Sequence, residues 1–136
     1  MWEDINRSQF GGELKPLAAL DWGELSGENG IGAHGVFFPR SRCIVIDQKF
    51  KFDDEAIREG NEEEKRKAEQ AYCLLMHEMV HQALYQKRAD KPGGHGATFL
   101  AEAERISKQM GQELPTSDNV KRWPFHVNLS DFIKQL

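Results

Sequence analysis

Cysteine is scarce: the 136 residues hold two, Cys43 and Cys73. Two cysteines cannot build a zinc ribbon, and they do not make the framework of a disulfide-stapled domain. Long hydrophobic runs are also missing. The longest uninterrupted apolar stretch is the six residues 71–76, whereas a bilayer span needs about 20, so no transmembrane helix is expected. No block of basic charge stands out. The net charge is −4. Up to residue 68 there are 14 acids against 10 bases, and beyond it 8 against 8. That balance argues against a protein whose main business is gripping phosphate backbones. The opening decapeptide MWEDINRSQF shows neither a basic n-region nor an apolar h-region, so the expectation is a cytoplasmic protein. With 39% hydrophobic and 29% charged residues, the chain has enough apolar material for one core, and its length suits a single domain spanning 1–136.

Local patterns order the chain. Residues 3–10 suit a short helix ended by Gly11-Gly12. Residues 17–22 form a short apolar run, and five glycines within 23–35 predict a turn-rich hairpin connection. Val36-Phe37-Phe38 reads as a strand stopped by Pro39, and residues 43–50, CIVIDQKF, read as the strongest strand. Asp53 suits an N-cap for a helix from Asp54. From Asn61 the period becomes 3.6, with Asn61 and Glu64 spaced as a capping box. Apolar residues between Ala68 and Leu84 then cover most of that helix's circumference, which predicts a buried helix. A polar loop over 87–94 leads to a second helix over 97–110, with Gly111 at its end. The tail beyond Pro115 reads as irregular, with a short strand at 125–127 and a last turn capped by Ser130. Strands and helices are segregated, which predicts an α+β fold: a short antiparallel or mixed sheet packed on the long helix and a second one.

The long helix carries His77-Glu78-Met79-Val80-His81 in the midst of its apolar residues. Positions i and i+4 stand one turn apart on one face, so both imidazoles can reach one metal ion. Glu78 points beside such an ion, where it can hold a water molecule and take its proton. The plain alternative is a buried helix with two satisfied core histidines and an ion-paired glutamate. Three adjacent polar groups in an apolar stretch are costly unless something coordinates them. A catalytic zinc site takes three protein ligands, and two residues compete for third place. His95 sits between Gly94 and Gly96, fourteen residues after His81; Glu102 follows His81 by twenty-one. His95 and Glu102 are seven apart and would share a face of a continuous helix. A third histidine six residues after the second is absent, since position 87 is lysine.

Residues 74–81, LLMHEMVH, followed by Gly94-His95-Gly96-Ala97-Thr98-Phe99, resemble the SprT-like metallopeptidases. The likeness extends upstream through Asn6, Phe10-Gly11-Gly12-Glu13-Leu14, Trp22 and Cys43-Ile44-Val45-Ile46, and downstream to Arg105-Ile106 and Gly111. It covers about residues 5–115. The resemblance implies a small zincin-like domain, Zn²⁺ held by His77, His81 and His95, and Glu78 as catalytic base. It implies a zinc-dependent metalloendopeptidase acting on flexible or unfolded protein, including protein crosslinked to DNA, with a protein or peptide substrate and DNA as partners. Larger family members append a cysteine zinc ribbon or long recruitment tails, and these 136 residues with two cysteines are expected to correspond to the protease domain alone.

Weaker candidates remain. Tyr85, one turn beyond His81, suits either an oxyanion donor or a core tyrosine; His34 and His126 suit either cleft or surface. Lys121-Arg122-Trp123 combines basic and aromatic residues of the type that can stack on single-stranded bases, and Lys87-Arg88 with Lys91 is a second such basic cluster beside the site; both also suit solvated surface. Two alternative functions belong beside the peptidase: a non-catalytic, metal-stabilised binding module, and a peptidase that uses Glu102 as third ligand.

Overall fold

The computed structural model describes residues 1–25, 33–88 and 94–124. Helix α1 spans Trp2–Gln9, strand β1 Ala19–Gly23, β2 Gly35–Phe38 and β3 Cys43–Asp47. Helices α2 (Asp54–Arg58), α3 (Glu62–Gln86) and α4 (Ala97–Gln109) follow, with single 3₁₀ turns at Gln48–Phe50 and Val120–Arg122. The fold is α+β, as the segregation of elements predicts. The strand expected over 43–50 ends earlier, because Asp47 caps a 3₁₀ turn by accepting from the Lys49 amide at 3.0 Å. The expected strand at 125–127, the turn at Ser130, His126 and Lys91 lie outside the described residues, as does most of the glycine-rich connection.

The sheet is mixed, in the order β1-β3-β2. β1 runs parallel to β3 with Ala19 opposite Cys43; β2 runs antiparallel to it with Phe38 opposite Cys43. Ile44 and Ile46 of β3 are buried against the helices. In β2, ladder bonds alternate with outward-facing groups. The Asp47 amide donates to the His34 carbonyl at 2.8 Å. With that register, Val36 and Phe38 turn their main-chain groups to β3, and Gly35 and Phe37 turn theirs to the side away from it, where no further strand is found among the described residues.

Helix α3 is the axis of the core. Asn61 caps it by accepting from the Glu64 amide, but the capping box is half made. Glu64 accepts instead from the Asp53 amide at 3.1 Å and pairs with Lys67, which ties α2 to α3. Tyr72, Leu75, Met76, Met79 and Val80 are fully buried. Helix α1 is fastened to α3 where Trp2 Nε1 donates to Gln82 Oε1 at 3.2 Å, and to α4 where Arg105 donates to the Gln9 carbonyl at 2.7 Å. Both cysteines are free thiols. Among the described residues, no helix is long and apolar enough to cross a membrane.

Candidate metal centre

His77 and His81 project from one face of α3 and are both buried. His95 does not lie on α4. It precedes Gly96, the N-cap of that helix, and the chain there approaches α3. The three imidazoles come together, each offering one nitrogen, all within 4.8 Å of one another. His77 Nε2 and His95 Nε2 are 3.0 Å apart. Phe99, one turn into α4 and fully buried, lies beneath them. Its ring centroid is 4.9 Å from that of His77, 4.7 Å from His81 and 5.0 Å from His95. An apolar floor of this kind holds the three rings at fixed tilts.

The donor set fits a divalent cation. A tetrahedral zinc with bonds of about 2.0–2.1 Å places its ligands roughly 3.3 Å apart, inside the spread of these nitrogens. The tautomer of His77 fits as well. His77 Nδ1 meets the Trp123 carbonyl oxygen, which can only accept, so Nδ1 carries the proton and Nε2 keeps its lone pair for the cluster. Burial pushes His77 down from 6.5 to about 4, with the Trp123 carbonyl opposing and His95 assisting. Burial, and then Lys121, also lowers His95. Both shifts favour neutral imidazole, the form that binds metal.

Glu78 is buried beside the cluster and lines the same cavity, of about 470 Å³, as His77, His81 and His95. Burial raises its carboxyl from 4.5 to about 7, partly offset by a hydrogen bond from the Phe37 backbone. That bond comes from the side of β2 that faces away from β3. A Cβ added to Gly35 would sit 3.5 Å from Glu78 Cγ, so β2 lies directly over the acid.

The other candidates separate. Glu102 turns to Arg105, 2.5 Å away, and is not part of the histidine cluster. Tyr85 is exposed and meets Phe37 edge to face, outside the cavity that holds Glu78. His34 lines that cavity. Trp123 is buried, its indole donating to Ser107 Oγ at 2.8 Å and packing on Phe99, so it has no free face for a nucleic-acid base. Lys121 and Arg122 are exposed at the cavity's rim. Two contributors were missed by sequence reasoning. The spacing of Phe99 after His95 was visible, but its role as floor was not. The Trp123 carbonyl is a backbone group and has no side-chain signal at all.

A small α+β domain with an HExxH helix and a third imidazole beside it defines a metal-dependent, peptidase-like domain. Residues 61–121 match the SprT-like family model, a stretch that holds both site helices and all three histidines and ends two residues before Trp123. No curated protein and no solved structure matched the chain.

Proposed function

We propose that the protein is a zinc-dependent metalloendopeptidase that cleaves flexible or unfolded polypeptide, with His77, His81 and His95 as metal ligands and Glu78 as general base. The observation that carries this reading is the convergence of three ring nitrogens within 4.8 Å, with a buried carboxyl on the next residue of the same helix. A divalent ion held by the histidines supplies Lewis-acid polarisation of the scissile carbonyl and acidifies the attacking water. Glu78 receives that water's proton and returns it to the departing amine nitrogen. In the metal-free protein burial raises this carboxyl; a cation beside it would favour the carboxylate, the form that accepts a proton. Among the described residues β2 is an edge strand; the Phe37 amide is taken by Glu78, but the Gly35 main chain and the Phe37 carbonyl face away from β3 and support an extended substrate that pairs as an added strand. Only a segment free of its own secondary structure can pair in this way, which favours unfolded substrate.

Protein crosslinked to DNA is the finer form of this substrate. It is supported by the family resemblance and by the exposed Lys121 and Arg122 at the rim. The alternative is a metal-stabilised module without turnover. Glu78 speaks against it, because a purely structural site gains nothing from a buried carboxyl beside its ligands. The test is Glu78→Gln in zinc-loaded protein. Metal content should persist while cleavage of an unfolded protein stops. Equal cleavage by the variant and the wild type would exclude Glu78 as the base.

A further inference from the structure

A second cavity, of about 390 Å³, shares Phe37 with the cavity at the histidines. Lys15, Arg40, Arg42 and Arg88 surround it, Phe37 and Tyr85 form part of its wall, and none of its lining residues is acidic. The four cations are exposed, and no ion pair to any of them is found among the described residues. Two stand on costly backbone. Arg42 has φ 55° and Arg88, just past the end of α3, has φ 52°, in the left-handed region where glycine is the cheaper residue. Four cations with no acidic partner among the described residues, gathered around one hollow, favour an anion there.

Its position relates it to the reaction centre. Glu78, Gln82 and Tyr85 follow one face of α3 at i, i+4 and i+7, and Phe37 lines both cavities. Seven helical residues rise about 10 Å, the span of about three residues of extended peptide. We propose that this cavity is a specificity pocket for an aspartate or glutamate of the polypeptide substrate, about three residues to one side of the scissile bond. The inference rests on the peptidase reading. A single nucleic-acid strand is less well served, because it needs successive aromatic faces for stacking, and of the aromatics lining this cavity Tyr85 is exposed while Phe37 is half-buried.

The test uses the zinc-loaded chain and a peptide set in which one position at a time is Glu, Gln or Lys. Wild type should favour Glu over Lys about tenfold in kcat/KM at one position near the third residue from the cut. Arg40→Glu with Arg42→Glu should reverse the order at that same position. Should that pair lose its zinc, Arg40→Gln serves instead, reducing the preference about threefold. Cleavage without charge preference, or a preference unmoved by these variants, overturns the pocket while leaving the peptidase standing. Failure of the wild type to cleave any peptide or unfolded protein overturns the peptidase reading itself. Fluorescence anisotropy with a single-stranded oligonucleotide completes the test. If the variants lose oligonucleotide binding yet keep the Glu preference, the cavity belongs to nucleic acid and the proposal falls.

Discussion

Glu78→Gln should change stability in a way that isolates the buried carboxyl. In the metal-free protein, burial holds this group at about 7, against an ordinary 4.5. At about 1.4 kcal/mol per tenfold shift, that interval is worth about 3 kcal/mol. The folded state binds the proton more tightly than the unfolded chain does. Stability from this group is therefore fully present below about pH 4.5 and is lost as pH rises to about 7. His77 works in the opposite sense: its folded value of about 4 lies below the unfolded one, so its burial cost is relieved as pH rises from about 4 to 6.5. The two trends largely mask each other in the wild type. Glutamine cannot ionise, and His77 is common to both proteins, so the difference between variant and wild type reports Glu78 alone. Any misfit of the new amide adds an offset that does not vary with pH. Urea unfolding of both proteins in chelator, at pH 5 and pH 8, should show the variant gaining about 2–3 kcal/mol relative to wild type between those values. A difference that stays constant within about 0.5 kcal/mol would mean that the carboxyl is solvated, and the account of a poised base would fail.

Other outcomes follow from the packing. His95→Ala should weaken zinc binding about 100-fold or more, since even the loss of groups that merely orient metal ligands costs 10–100-fold; competition with a chromogenic chelator measures it. Phe99→Ala should destabilise the chain by about 3–5 kcal/mol with chelator present, because the fully buried ring packs whether or not metal is bound. Gly23→Ala should cost about 1–3 kcal/mol, since its new Cβ would lie 2.8 Å from Val45 Cγ1; thermal unfolding reads this directly.

Legibility from sequence followed the range of the interaction. Elements set by neighbouring residues were plain: the Asn61 cap, the Asp53 cap, the core of β3 and the two-histidine face of α3. Where a tertiary contact competes for a local partner, the local expectation failed. Glu64 left the capping box for the Asp53 amide. The strand read over 43–50 ended early for a local reason, the Asp47 cap on the Lys49 amide. The run Lys121-Arg122-Trp123 suited either base stacking or solvated surface, but Trp123 is buried against Phe99 and Ser107.

By itself the sequence determined that two imidazoles and a carboxylate stand together on a buried helix, because helical geometry gives residues at i, i+1 and i+4 their directions without reference to the rest of the chain. It left His95 and Glu102 as rivals, and residue spacing alone could not separate them. Only tertiary structure decided that His95, ahead of α4, meets the other two rings while Glu102 turns to Arg105. Tertiary structure also brought residues 15, 40, 42 and 88 around one hollow. The physical reason is common to both: which distant segments meet is decided by how helices and sheet pack their apolar faces, and no local period encodes that.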